Sequence, residues 1–209
     1  MNKKNISYIS IPLLYLLTVT LLIFHWPKYF INSITLEVLG DWILGIYLIC
    51  FIIAIALFKF IADTNNTVLI KVTWGIIGFV LSLFTFYLYG VFLYSINYQA
   101  AHNTSLTFVD LIEFNRYLLV IPLLLAPIFE EIVFRRIAVN FLENKTKRVW
   151  LSASISALLF LLVHWQGFES LVYLFIGLIL VWVYKKGGLI SSIITHITLN
   201  IIMYFIIFI

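Results

Sequence analysis

"YLLVIPLLLAPIFEEIVFRR", residues Tyr117 to Arg136, joins an apolar run to two adjacent glutamates and two adjacent arginines. A run of this kind reads as most of a spanning helix, which needs about 20 predominantly apolar residues. A charge at mid-bilayer costs at least ~2.5–3.5 kcal/mol on insertion scales. Four charges at the end of such a helix therefore imply a compensating partner, a water-filled cavity or a chemical task.

The rest of the chain agrees with a membrane setting. Of its 209 residues, 64% are apolar and 11% are charged, whereas soluble domains run at about 45–50% and about 25%. The fold class that follows is all-α, a polytopic membrane helix bundle with about seven transmembrane helices. The net charge is +4, but the basic residues stand between apolar segments. That placement points to membrane orientation and away from nucleic acid. Cys50 is the only cysteine, which excludes an internal disulfide and fits a buried inert thiol. Lys3 and Lys4 precede an apolar run with no small-residue cleavage site after it, so the first span is expected to stay uncleaved. The length suits one transmembrane domain over residues 1–209, with the chemistry-bearing core in 117–209.

Seven spans are predicted: Tyr8–Trp26, Trp42–Ile61, Val72–Ile96, Tyr117–Val139, Val149–His164, Ser170–Tyr184 and Leu189–Ile209. The fifth and sixth are short. Part of "WQGFES" between them is therefore expected at membrane depth, which requires cover from protein or a cavity. A cytoplasmic N-terminus puts Lys3, Lys4, Lys59, Lys71, Arg135, Arg136, Lys145, Lys147, Arg148, Lys185 and Lys186 inside. Only Lys28 and Arg116 are then outside, and this bias sets the orientation.

Few titratable residues fall within these spans. Glu130 and Glu131 are in the fourth, His164 ends the fifth in "FLLVH", and His196 lies in the seventh in "SIITHITLN". His196 and Asn200 are four apart and share a helix face, as do Phe160 and His164. Glu131 and Arg135 are also four apart, with the acid on the N-terminal side, the better orientation for an ion pair. Glu130 lies about 100° round an α-helix from Glu131. The pair thus divides into a neutralised Glu131 and a Glu130 available for chemistry. A glutamate can take a proton from water, a histidine can share that water, and a His–Asn pair can stabilise an oxyanion.

"EEIVFR", "FLLVH" and "HITLN" fit the patterns EExxxR, FxxxH and HxxxN. In that order, in a multispanning chain, they resemble the CAAX protease and bacteriocin-processing (Abi) family, over roughly Ile121 to Ile202. The resemblance implies an intramembrane endopeptidase acting on a membrane-associated protein or peptide, while the short chain without a cysteine-rich domain or organelle signal points to a bacterial plasma membrane. It implies that Glu130 and His164 activate water, that His196 and Asn200 stabilise the oxyanion, and that Glu131 and Arg135 support the site.

The family is often labelled as metalloproteases. A zinc ion would draw on Glu130, His164 and His196 as a His2Glu set. The sequence reading favours a metal-free site with no cofactor. It shows no HExxH pair and no carboxylate apparent beside either imidazole to orient it. Two further readings share these residues. One is a catalytically silent scaffold or bacteriocin-immunity protein of the same fold, and the other a small-solute transporter. At 1.5 Å per residue, His196 and His164 fall at roughly 10 and 20 Å from the cytoplasmic end. Their convergence is expected to need tilt, a broken helix or a re-entrant segment.

Overall fold

Helices follow the apolar runs. The computed structural model describes residues 36–58, 66–99 and 115–208, with Ser10, Leu14 and Ile112. The predicted first span, Tyr8–Trp26, lies outside the described residues but for Ser10 and Leu14. Among the described residues all regular structure is helical: α1 (Leu36–Phe58), α2 (Val68–Ser95), a composite α3 (Arg116–Thr146), α4 (Val149–Val163), α5 (Val172–Gly187) and α6 (Leu189–Phe208). These match the other six predicted spans in order. The bounds differ most at the end of α3, seven residues past the predicted Val139, and at two starts. α1 begins six residues before the predicted Trp42, and α2 four before Val72. Thr67 caps α2, its Oγ1 accepting the Ile70 N–H at 3.4 Å, as N-cap threonines do. α2, α3, the stretch Phe168–Gly187 and α6 are each long and apolar enough to cross a membrane. The protein is a multi-pass membrane protein.

The chain divides into two compact units, Met1–Ala62 with Asn103–Glu130, and Asp63–His102 with Glu131–Ile209. In the first, α1 buries Ile43, Tyr47 and Cys50 on one stripe, and α3 buries Leu118, Ile121, Leu125 and Phe129. Tyr47 meets Phe129 edge to face at 6.4 Å, and the Tyr117 hydroxyl donates to Asp41 Oδ1 at 2.5 Å.

The second unit packs α2, α5 and α6 together, with α4 against α5. Small residues allow the close approach, as is common between membrane helices. A Cβ at Gly78 would lie 2.4 Å from Thr195 Oγ1, and one at Gly177 2.9 Å from the Ala157 backbone. Thr195 Oγ1 donates to the Gly75 carbonyl at 2.9 Å. The far face of α2 stays exposed and apolar, with Ile76, Val80, Phe84, Tyr87 and Val91 on it, as a lipid-facing surface would be. Gly188, at φ 91°, turns the chain between α5 and α6, a conformation that side chains with a Cβ disfavour.

α4 has 15 residues, a rise of about 22 Å against a hydrocarbon core of about 30 Å. The stretch His164–Leu171 follows, and several of its polar groups find hydrogen-bond partners. The Tyr89 hydroxyl donates to the Phe168 carbonyl at 2.6 Å, and the Gln166 N–H to Ser170 Oγ at 2.9 Å. Tyr98, beyond the end of α2, donates to Glu169 Oε2 at 2.5 Å. That bond raises the Tyr98 phenol pKa above its ordinary value.

Candidate active site

α3 is wound unevenly where its charges fall. It is a π-helix at Ile121–Leu125, α-helical at Ala126–Glu130, and a π-helix again at Glu131–Val139. Pro127 has no N–H to give and crowds the carbonyl four residues back, so a change of winding beside it has a local cause. π-turns inside helices gather at functional sites. The α-helical angle of about 100° per residue does not carry past Glu131, because the winding widens there. Glu130 closes the α-helical segment and is buried. Glu131 opens the π-helical one.

Glu131 and Arg135 form the expected ion pair, with Nε to Oε2 at 3.1 Å and both side chains fully buried. Arg135 also points Nη1 at Ser156 Oγ on α4, at 3.4 Å, and Ser156 in turn donates to the Phe134 carbonyl at 2.9 Å. The guanidinium carbon stands 4.7 Å from the centre of the Phe160 ring, a cation–π arrangement. One buried cation is thus held by a carboxylate, a hydroxyl and an aromatic face.

The sequence showed no carboxylate beside either imidazole. The structure corrects this: His196 Nδ1 lies 3.0 Å from Glu131 Oε1, and both are buried. With Nδ1–H donating to the carboxylate, Nε2 is the ring's other hydrogen-bonding atom. Nε2 accepts when the ring is neutral and donates only when the ring carries both protons. Glu131 therefore links α3 internally to Arg135 and across to α6 through His196.

His164 is the C-cap residue of α4. Its Nδ1 lies 2.8 Å from the Phe160 carbonyl. A carbonyl only accepts, so Nδ1 carries the proton, and in the neutral ring Nε2 keeps the lone pair. Phe160 packs beside His164 as expected, at 4.4 Å, and meets His196 edge to face at 5.6 Å. The difference in depth between the two histidines is bridged by this ring, one turn before His164. Asn200 sits one turn beyond His196 on α6 and is half-buried.

Ser156 and Tyr173 were not singled out from sequence. Ser156, Phe160 and His164 recur every four residues, so the helix face already named could have found Ser156. Tyr173 stacks on His164 at 4.7 Å and 27° from the next helix, and no local pattern marks it. No group of three or more His, Cys, Asp or Glu side chains that could hold a metal comes together among the described residues. The candidate set Glu130, His164 and His196 does not form such a group, and no step below is routed through a metal.

Residues 113–202 match the family model described as type II CAAX prenyl endopeptidase Rce1-like. The chain is 31% identical over 100 residues to the UPF0177 protein YbdI of Lactococcus lactis subsp. lactis (strain IL1403), covering 46% of this chain and 53% of that protein. It is 23% identical over 161 residues to the "Putative membrane peptidase YdiL" of Bacillus subtilis (strain 168), covering 70% of this chain and 63% of that one. The chain thus spans between about half and just under two thirds of these relatives' lengths. No solved structure matches it. The family match encloses all three motifs, and the resemblance to CAAX-type membrane proteases is borne out over that segment.

Proposed function

We propose that this membrane protein, with its CAAX-endopeptidase-like segment, is an intramembrane endopeptidase that hydrolyses a peptide bond of a membrane-associated protein or peptide. The carrying observation is the 3.0 Å contact between Glu131 and His196. It joins the first and third motifs in one buried polar cluster of an apolar helical unit, where such groups are costly and functional by default. Both Glu131 oxygens are engaged, one by Arg135 Nε and one by His196 Nδ1. This carboxylate accordingly holds the site, and the motif match gives proton abstraction to Glu130.

In this mechanism Glu130 takes a proton from water as the oxygen bonds to the scissile carbonyl carbon. The same proton then passes to the amine nitrogen as the C–N bond breaks. His164 accepts a hydrogen bond at Nε2. His196 in its doubly protonated form, and the Asn200 amide, donate to the oxyanion. The catalytic core is 117–209. The orientation is N-terminus inside, which the lysine and arginine distribution supports. The location is a bacterial plasma membrane, supported by the bacterial origin of both relatives.

The test compares membrane peptidomes of cells making the wild-type chain, Glu130→Gln or His164→Ala. New peptide termini should appear with wild type and vanish with both variants. Identical peptidomes from equally folded proteins would overturn the proposal in favour of a silent scaffold.

A further inference from the structure

His164 ends its helix, so no following turn of α4 walls in its side chain. Its ring meets the tilted Phe160 ring at 4.4 Å, and two further contacts of different kinds bear on its orientation. The Nδ1–H bond to the Phe160 carbonyl, at 2.8 Å, fixes the tautomer and the rotation within the ring plane. The plane itself is set by Tyr173, stacked at 4.7 Å with 27° between the rings. Tyr173 is held in turn, edge to face, by Phe86 at 5.9 Å and by Phe160 at 6.3 Å. It is therefore a braced surface and not a mobile neighbour. Aromatic pairs favour such offset stacking. A lone pair on Nε2 is useful only if it points at the reacting water, and a misplacement of about 1 Å can cost about a hundredfold in rate.

We propose that Tyr173 is a positioning residue of this site, whose flat face holds the His164 imidazole in the orientation that presents Nε2 to water. This rests on the peptidase reading above.

The test uses the full chain in lipid nanodiscs, labelled with 15N-histidine. The His164 signals are assigned by their loss in His164→Gln. Tyr173→Phe keeps the flat face, while Tyr173→Leu and Tyr173→Met fill space without it. Activity is followed on a fluorogenic peptide spanning a cleavage site found in the peptidome comparison. Wild type and Tyr173→Phe should show His164 ring protons shifted upfield by the stacked ring, and one Nδ1–H tautomer. Both should have similar kcat. Leu or Met should reduce the upfield shift to the part that the Phe160 ring gives, and mix the tautomers. They should lower kcat about tenfold to a hundredfold with KM within about twofold, the pattern of lost transition-state alignment.

Wild-type-like His164 signals in a folded Leu or Met variant would overturn the proposal. So would altered signals with unchanged kcat. If wild type and Glu130→Gln are equally inactive, the peptidase reading itself fails and the positioning role with it. The imidazole signals of an active wild type separate that case from failure of the positioning role alone.

Discussion

Glu131 Oε1 and His196 Nδ1 lie 3.0 Å apart although 65 residues separate them in the chain. The same carboxylate holds Arg135 through its other oxygen. A single buried acid thus ties a turn of α3 to α6. Its removal should affect the fold and the imidazole together.

Arg135→Ala should be the most damaging substitution in this cluster. It leaves Glu131 buried without its cation, and stranding a buried charge costs ~3–5 kcal/mol. The yield of folded protein in detergent and its thermal midpoint should both fall. The double change Arg135→Met with Glu131→Gln should recover much of that loss, because no charge is then stranded. If Arg135→Ala matches wild type in both measurements, the ion pair is not what holds this region.

Two glycines of α2 should respond with opposite signs. Gly78→Val pushes a Cβ to 2.4 Å from Thr195 Oγ1 and 2.5 Å from Val183 Cγ2. Such overpacking costs about 1–3 kcal/mol. A Cβ at Gly90 meets nothing within 4 Å, and alanine is favoured over glycine within a helix by about 0.5–1 kcal/mol. Thermal unfolding of Gly78→Val and Gly90→Ala checks this. Equal midpoints would show that α2 does not pack on α6 through Gly78.

Composition and run length made the helices legible, since lipid selects strongly for long apolar segments. Local spacing gave the Glu131–Arg135 pair and the Phe160–His164 face because both depend only on helix pitch. Three things lay beyond it. The π-helical winding of Glu131–Val139 uses residues that would equally suit an α-helix, so nothing in their identity announces it. The Glu131–His196 contact depends on how α3 and α6 pack, which no local pattern encodes. Tyr173 looks like any aromatic of an apolar helix until the hairpin after α4 brings it over His164.

The clasp on the 164–171 stretch should open in alkali. Tyr98 donates to Glu169, and that hydrogen bond is the main cause of its raised phenol pKa. A raised folded value means that the stabilisation is full below the ordinary tyrosine pKa of about 10 and is lost as pH rises through the higher folded value. Hydrogen exchange at residues 165–170 should therefore be slow near pH 8 and show an added loss of protection above about pH 10. Tyr89, which donates to the Phe168 carbonyl, also carries a phenol, so the diagnostic quantity is the difference between wild type and Tyr98→Phe. Tyr98→Phe should exchange faster already at pH 8 and show a smaller alkaline step. Superimposable profiles would remove Tyr98 from the clasp.

Adjacent glutamates should give opposite phenotypes. Glu131 has both oxygens committed to Arg135 and His196, so Glu131→Gln weakens an ion pair and the hold on an imidazole. Its thermal midpoint should drop, and any loss of cleavage should accompany loss of fold. Glu130→Gln alters no part of that linkage, and its midpoint should stay near that of wild type. If Glu130 is the group that takes the water's proton, its loss removes a contribution of about 10²–10⁴ in rate, enough to bring cleavage to background. The two measurements must be made on the same preparations, since a midpoint without activity, or activity without a midpoint, cannot separate holding from chemistry. A destabilised but still cleaving Glu130→Gln beside a folded but inactive Glu131→Gln would reverse the assignment. Base catalysis would then belong to the carboxylate bound by Arg135 and His196.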